Sequence, residues 1–326
     1  MPRARIISTG SYVPQKVLTN RDLEKMVETS SEWIIERTGI SERHIASKSE
    51  TTSDLAAEAA KAALKTAGVK AKDIDLIIVG TCTPDMFFPS TACMVQYKIG
   101  AKHAAAFDLN AACSGFLYGL SVASNFIQTG AFRKILVIGA ETLSRFVDWQ
   151  DRSTCILFGD GAGAVVLEAT AQDRGILYTH IRSDADYWDF IQIPAGAAKE
   201  PASKSVLEKR SNTISMKGNE TFKVAVKTLE SLVVDTLAHC NLKPSQLSLL
   251  IPHQANRRII EATAKRLGLS MDKVMMNLER YGNTSAASIP IALDEAVRFG
   301  RLRDGDYALF EAFGAGLTWA SALVKW

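Results

Sequence analysis

The sequence predicts an α/β fold built from two similar halves, each with a β-sheet covered by helices. The chain has 326 residues, of which 47% are hydrophobic and only 9 are Pro, as is typical of a well-packed globular protein of roughly two domains. Short apolar runs alternate with helical patterns, as in mainly parallel sheets buried on both faces. Segments of the chain also resemble one another, and an internal repeat indicates a duplicated unit.

Two pairs of segments carry the repeat. Residues 68–79 (GVKAKDIDLIIV) resemble residues 241–252 (NLKPSQLSLLIP), and residues 161–167 (GAGAVVL) resemble residues 314–324 (GAGLTWASALV). We therefore expect a first half over residues 1–175, a second half over residues 176–326, and helices sandwiched between two sheets.

Helices and strands follow from periodicity. Long amphipathic helices are expected at residues 53–67 and 222–240, each followed by a Gly or Asn suited to a left-handed cap. Residues 182–215 lack regular periodicity, so we expect them to join the halves and cover a site. Buried strands are expected at the apolar runs 76–79, 135–138, 165–167, 249–251 and 308–310.

Composition excludes several classes of protein. The net charge is +3, with 38 basic and 35 acidic residues, which does not suggest nucleic-acid binding. The five cysteines show no CxxC spacing, so we expect a reduced, cytoplasmic protein without zinc. No targeting segment is visible at the start. Residues 109–132 are uncharged but contain several polar side chains, which favours a buried helix over a membrane span.

Cys113 is the first candidate functional residue. It lies where an extended apolar segment turns into the uncharged helix. The unpaired N–H groups at the start of a helix lower the pKa of a thiol and favour the nucleophilic thiolate. The alternative, from this residue alone, is a small core side chain.

His253 and Asn283 are the candidate partners of Cys113. His253 follows the apolar strand LLIP and precedes a helix that begins near Asn256, which is where open α/β sheets place ligands. Asn283 lies in a turn that enters a helix rich in small residues, and such residues allow a ligand to approach the backbone closely. Taken singly, His253 could be a core imidazole and Asn283 a helix cap.

Together, Cys113, His253 and Asn283 resemble the thiolase superfamily, and most closely the β-ketoacyl-acyl carrier protein synthase III family. The resemblance spans nearly the whole chain. The sequence FGDGAG at residues 158–163 precedes a strand instead of following one, so we reject NAD binding. The stretches that carry the resemblance are DLEKM (22–26), SEWIIERTGI (31–40), CSGF (113–116), FGDGAG (158–163), HQAN (253–256), GNTSAAS (282–288) and EAFG (311–314).

The resemblance implies a thiolase-like fold, a five-layered αβαβα sandwich, and a condensing acyltransferase that initiates bacterial type II fatty-acid synthesis. Cys113 would accept an acyl group from a short acyl-CoA, with acetyl-CoA expected. Decarboxylative Claisen condensation with malonyl-acyl carrier protein would then give a β-ketoacyl thioester. His253 and Asn283 would stabilise the enolate, and His253 would need to be neutral with its proton on Nε2. No metal or cofactor is implied, since acyl-CoA is a substrate.

The resemblance also implies further site residues. The backbone amides of Cys113 and Ala315 would form an oxyanion hole for the tetrahedral intermediates. Trp33 and Arg152 would bracket the CoA adenine. The remaining CoA and pantetheine contacts would be Thr29, Arg37, Gly218, Phe222, Ala255 and Asn256, and the acyl pocket would be lined by Phe88, Leu143, Phe158 and Phe313.

Partners follow from the same resemblance. The acyl carrier protein is acidic in this family, and it would dock on Lys223, Arg257, Arg258, Lys265 and Arg266. Phe88 would enter the pocket of a second subunit in a homodimer. No nucleic acid or membrane partner is expected.

Two alternatives remain open from the sequence. One is a related synthase, polyketide-type or medium-chain, with a longer or branched primer. The other is a noncatalytic acyl- or carrier-binding homologue. The presence of Cys113, His253 and Asn283 together argues against it. A degradative thiolase would need a second cysteine near the C-terminus, and the turn at residues 312–316 (AFGAG) has none.

Overall fold

The computed structural model describes residues 2–326. The strands of the first half are β1 (Arg3–Tyr12), β2 (Lys16–Thr19), β3 (Glu42–Ile45), β4 (Leu76–Gly80), β5 (Ala105–Leu109), β6 (Lys134–Thr142) and β7 (Asp160–Thr170). The strands of the second half are β8 (Gly175–Ser183), β9 (Ile191–Gln192), β10 (Ser215–Met216), β11 (Leu249–Pro252), β12 (Tyr307–Gly314) and β13 (Thr318–Lys325).

The two main sheets share one topology. The first has the order β1-β7-β6-β4-β5 and the second the order β8-β13-β12-β11. In both, the first three strands of that order pair antiparallel and the fourth pairs parallel with the third. The duplication predicted from the sequence is therefore confirmed in the fold, and β5 is an additional edge strand parallel to β4. The predicted division between residues 175 and 176 falls at the first residue of β8.

Helices form the other three layers. The helices are α1 (Asn20–Leu23), α2 (Ser31–Thr38), α3 (Thr52–Ala67), α4 (Thr91–Ile99), α5 (Gly115–Gln128), α6 (Arg152–Cys155), α7 (Lys204–Glu208), α8 (Gly218–His239), α9 (Arg257–Arg266), α10 (Leu278–Tyr281) and α11 (Ser288–Arg298). Apolar side chains of α5 and α11 fill the space between the sheets. Helices α3 and α4 cover the outer face of the first sheet, and α8 and α9 cover that of the second. The five-layered sandwich is confirmed.

The sheets are mixed, so the expectation of mainly parallel sheets is wrong. Two of the four pairings in the first sheet and two of the three in the second are antiparallel. Strands β12 and β13 are joined by only residues 315–317, and a connection this short permits only antiparallel pairing. Buried antiparallel strands have the same continuous apolar runs as parallel ones, which explains the error.

The long helices end where the sequence predicts. Helix α3 is followed by Gly68 at φ 64°, and α8 is followed closely by Asn241 at φ 54°. Helix α8 begins at Gly218, four residues before the expected start at Phe222, because polar residues can extend a first turn without a periodicity signal. None of the helices in residues 2–326 is both long and apolar enough to span a membrane.

Candidate active site

Cys113 lies at a sharp turn between β5 and α5. The turn is a short 3-10 segment, Ala112–Ser114, in which Ala112 has a φ of 45°. The end of β12 packs directly against it, since a Cβ added at Gly314 would lie 2.7 Å from Cys113 N. The thiol is therefore held between an element of the first half and one of the second.

His253 directly follows β11, as predicted. Its backbone N–H donates to the Glu311 carbonyl oxygen at 2.8 Å, which keeps the residue next to β12. Its side chain is buried, and its Nδ1 lies 2.7 Å from Ser288 Oγ at the start of α11. His253 is therefore held in place through both its backbone and its ring.

Asn283 bridges the two halves. Its N–H donates to the Leu157 carbonyl at 2.8 Å, and its carbonyl accepts from Gly159 N–H at 3.0 Å. Its side-chain Oδ1 accepts from the Ser285 N–H at 2.9 Å. This hydrogen bond fixes the orientation of the amide, and its NH₂ group donates to no residue in the described part of the chain.

Two cavities meet at Cys113. One, of about 130 Å³, is lined by Cys113, His253 and Asn283 together. The other, of about 520 Å³, is mainly apolar and shares Cys113, Phe158 and Ile191 with the first. The predicted cover segment contributes to its wall through Trp188, and also through Ile191, Gln192, Ile193 and Ile214. The structure thus brings the three candidate residues to one cavity, with a larger cavity next to it.

Burial sets the protonation of both reactive side chains. It raises the pKa of the Cys113 thiol to about 11, more than the neighbouring Ser285 hydroxyl lowers it. The expected lowering of this pKa is therefore not met in the resting site, because loss of solvation has the largest effect on the thiol. Burial also lowers the pKa of His253 to about 4, so the imidazole is neutral at neutral pH.

A buried polar group beside Cys113 leaves no signal in the sequence. The Glu141 carboxylate accepts hydrogen bonds from the hydroxyls of Thr81 and Thr83, at 3.2 and 2.5 Å, and from Cys82 Sγ at 3.3 Å. Burial raises the pKa of Glu141, and its charge contributes to the raised pKa of Cys113. Residues 81–83 directly follow β4, and Glu141 lies near the end of β6. The parallel pairing of β4 with β6 brings these residues together.

Comparisons with known proteins identify the family. Residues 107–185 match the family model described as 3-oxoacyl-[acyl-carrier-protein (ACP)] synthase III, and residues 237–326 match the model of its C-terminal part. A β-ketoacyl-[acyl-carrier-protein] synthase III from Caldanaerobacter subterraneus subsp. tengcongensis is 56% identical over 323 residues, covering 99% of this chain and 98% of that protein. The chain belongs to the synthase III family.

Further matches agree with this assignment. A synthase III from Alkalilimnicola ehrlichii is 54% identical and covers 100% of both chains. The crystal structure of the synthase III from Aquifex aeolicus superposes with a TM-score of 0.92 at 48% identity, covering 99% of this chain and 100% of that one. As a synthase III family member, the protein is a condensing acyltransferase with the thiolase-like fold.

The residues expected at the synthase III nucleotide site lie together but leave no gap for a base. The Arg152 guanidinium lies 4.8 Å from the Trp33 ring centroid and that of Arg37 lies 5.7 Å from it. A base between Trp33 and Arg152 would need about 3.5 Å on each side, so Arg152 must move before the two can bracket an adenine. Thr29 Oγ1 is buried without a hydrogen-bond partner in residues 2–326, and a cavity of about 510 Å³ lies next to Arg152.

The expected tunnel residues line the smaller cavity. They are Gly218, Phe222, Ala255 and Asn256. The Asn256 amide itself is engaged, since Nδ2 donates to the Arg37 carbonyl at 3.0 Å and Oδ1 accepts from Arg258 N–H at 2.9 Å.

The expected acyl-pocket residues divide among three places. Leu143 lines the larger cavity, and Phe158 lines both. Phe313 lines only the smaller cavity, with His253 and Asn283. Phe88 is 85% exposed and lines neither cavity of its own chain. Ala315 lines the larger cavity, and its N–H donates to no residue in the described part of the chain.

The five expected docking residues are not equivalent. Arg257 forms an ion pair with Glu261 at 3.3 Å, and Arg266 forms one with Glu230. Among residues 2–326, no carboxylate pairs with the other three, which are Lys223, Arg258 and Lys265. Arg258 also lies over the Phe222 ring at 5.5 Å, at the side of the tunnel. Within the same residues, no group of three or more His, Cys, Asp or Glu side chains could hold a metal ion.

Proposed function

We propose that Cys113 carries the acyl group, and that His253 and Asn283 stabilise the enolate in a condensation between a short acyl-CoA and malonyl-acyl carrier protein. One observation carries this proposal. The three side chains line one cavity of about 130 Å³, and a larger, mainly apolar cavity of about 520 Å³ shares Cys113 with it. A thioester that enters through the smaller cavity would place its acyl chain in the larger one.

Acylation is the first step. The Cys113 thiol first releases its proton to solvent, the thiolate attacks the acyl carbonyl carbon, the bond from that carbon to the CoA sulfur breaks, and CoA leaves as a thiolate that takes a proton from solvent. Exchange of one thioester for another is nearly isoenergetic, so the acyl-enzyme is readily formed and readily consumed. The tetrahedral oxyanion would accept hydrogen bonds from the amides of Cys113 and Ala315.

Condensation is the second step. The bond from the malonyl group to its carboxylate breaks, CO₂ leaves, and negative charge develops on the thioester oxygen as an enolate. His253 Nε2–H and the Asn283 NH₂ would donate to that oxygen, and neutral donors prepared in advance lower the barrier. The enolate carbon then attacks the acyl carbonyl, a carbon–carbon bond forms, and Cys113 leaves as thiolate.

The carrier protein would dock on Lys223, Arg258 and Lys265. These residues are exposed cations without an ion-pair partner in residues 2–326, which makes them available to an acidic surface. Arg257 and Arg266 already have internal carboxylate partners, so we assign them a smaller part.

We further propose a cytoplasmic homodimer that needs no cofactor. All five cysteines are free, which suits a reducing compartment. The edge strand β5 and the exposed side chains of Phe87 and Phe88 (77% and 85%) suit an interface with a second copy. The molar mass in solution, measured by light scattering, tests this, and a wild-type monomer at micromolar concentration would contradict it.

Intact-mass measurement tests the residue assignments. With a mixture of acyl-CoAs, the wild-type protein should gain the mass of one acyl group, and the species that accumulates first reports the preferred primer. Cys113→Ala should gain none, whereas the control Cys240→Ala should behave as wild type. His253→Ala and Asn283→Ala should still be acylated but should release no β-ketoacyl product. A stable thioester on the Cys113→Ala protein would overturn the assignment.

A further inference from the structure

Ser288 lies behind His253 and has no part in the function proposed above. It is the first residue of α11 and is only 2% exposed. Its Oγ lies 2.7 Å from His253 Nδ1 and 3.3 Å from the backbone nitrogen of Gln254. One hydroxyl therefore contacts both the ring and the next peptide group along the chain.

Counting protons decides the direction of these two hydrogen bonds. The Gln254 N–H can only donate, so Ser288 Oγ accepts from it. The hydroxyl proton then needs an acceptor, and no carbonyl or carboxylate in residues 2–326 takes it. The His253 Nδ1 lone pair is the acceptor in reach. If Ser288 donates to Nδ1, the imidazole proton must be on Nε2.

The opposite arrangement is less favourable. With the proton on Nδ1, Ser288 Oγ would accept from both Nδ1–H and the Gln254 N–H, and its own buried proton would have no partner. A buried donor without an acceptor costs about 1–3 kcal/mol. The bare Nε2 lone pair would then be the part of the ring left for a thioester oxygen, which it would repel.

We propose that Ser288 is a positioning residue that fixes His253 in the Nε2–H tautomer, so that the ring donates to the thioester oxygen. This inference rests on the proposed function of His253. The same short segment serves both donors, since the Ser285 N–H orients the Asn283 amide and the Ser288 hydroxyl orients the imidazole. The turn that enters α11 thus aims both groups before substrate arrives.

The tautomer also limits what His253 can do in acylation. A neutral imidazole with its proton on Nε2 has no lone pair at that nitrogen, so it cannot take the Cys113 proton. The proton must therefore leave to solvent before the sulfur attacks. Ser288 therefore separates the two half-reactions: it supports condensation and leaves acylation unaffected.

Nitrogen-15 NMR of histidine-labelled protein tests the tautomer directly. The His253 signals are identified by their loss in the His253→Gln variant. We expect wild-type protein at pH 7 to show a protonated Nε2 and a hydrogen-bonded, unprotonated Nδ1. A wild-type spectrum with the proton on Nδ1 overturns the proposal, whatever the behaviour of any variant.

Two substitutions separate positioning from a merely structural role. In Ser288→Ala we expect the Nδ1 signal to lose its hydrogen-bonded shift and condensation to slow about tenfold, less than the ~10²–10³-fold loss of a whole oxyanion donor. Acylation by acetyl-CoA should keep its wild-type rate, and Ser288→Thr should restore both the shift and the condensation rate. An unchanged Nδ1 shift in Ser288→Ala, or equal slowing of both half-reactions, overturns the proposal. Failure of wild-type protein to acylate would instead refute the function proposed for Cys113.

Discussion

Gly314→Ala should displace Cys113, the proposed nucleophile, without changing its functional group. An alanine Cβ at this position would lie 2.7 Å from Cys113 N and 3.0 Å from Cys113 Cβ. Ordinary contact begins at 3.4 Å, so the Cys113 backbone must retreat by about 0.7 Å (3.4 − 2.7). No flexible side-chain end can move aside, because the nearest atoms belong to the backbone and the Cβ.

The size of the effect follows from that displacement. A misplacement of about 1 Å can cost about 10²-fold in rate, so 0.7 Å corresponds to about 20-fold, or ~1.8 kcal/mol of activation free energy. We expect the single-turnover rate of Cys113 acylation by acetyl-CoA, followed by intact mass, to fall by this factor.

A matched control separates displacement from lost stability. Gly300 has a φ of 65° and open space where a Cβ would lie. Gly300→Ala should therefore destabilise the folded protein by about 1–2 kcal/mol, the cost of a left-handed alanine, which lowers its melting temperature. It should acylate at the wild-type rate. A folded Gly314→Ala protein that acylates as fast as wild type would refute the steric argument.

Three further predictions follow from charge and burial. The pKa of Cys113 is raised to about 11 and that of His253 is lowered to about 4. The fraction of Cys113 present as thiolate, and with it the acylation rate, should therefore rise about tenfold per pH unit from pH 7 to 9. A plateau in that range would contradict the raised thiol pKa. Arg258→Glu should raise KM for malonyl-carrier protein about tenfold and leave acyl-CoA loading unchanged. The remote control Lys72→Glu should change neither. Equal loss in both half-reactions of Arg258→Glu would count against docking at Arg258. Burial raises the pKa of Glu311 from 4.5 to about 8. Between these values the unfolded protein loses this proton more readily than the folded protein, so the folded protein loses stability as pH rises through the interval. The melting temperature of Glu311→Gln should exceed that of wild type by a margin that grows from pH 5 to 8. A constant difference would show that Glu311 does not titrate there.

The sequence predicts the elements that depend on local pattern. The ends of α3 and α8 follow from Gly68 and Asn241, and the buried strands follow from apolar runs. Cys113 and His253 could be located because each follows the carboxyl end of a strand, where parallel neighbours bring their ends together. Such signals are present in the chain itself, before any tertiary contact forms.

What the sequence does not predict depends on contacts across the fold. Strand direction in the sheets is set by the connections between strands, and burial of Cys113 is set by packing from both halves. The carboxylate of Glu141, the ion pair of Arg257 and the contact between Ser288 and His253 each join residues whose neighbours in sequence give no indication of the partner. Their effects on pKa and charge are therefore visible only once the fold is known.

The repeat itself explains why Cys113 and Asn283 meet. Asn110 Oδ1 accepts from Ala112 N–H at 3.2 Å, and Asn283 Oδ1 accepts from Ser285 N–H at 2.9 Å.

In each half this turn leads through a 3-10 segment into the central helix, with a φ of 45° at Ala112 and 49° at Ser285. The two turns touch, since a Cβ added at Gly115 would lie 3.5 Å from Ala286 Cβ. Cys113 is thus the counterpart of Ala286. Duplication of one turn therefore brings the Cys113 thiol of the first half to the Asn283 amide and His253 of the second, so under the proposed function neither half could perform the condensation alone.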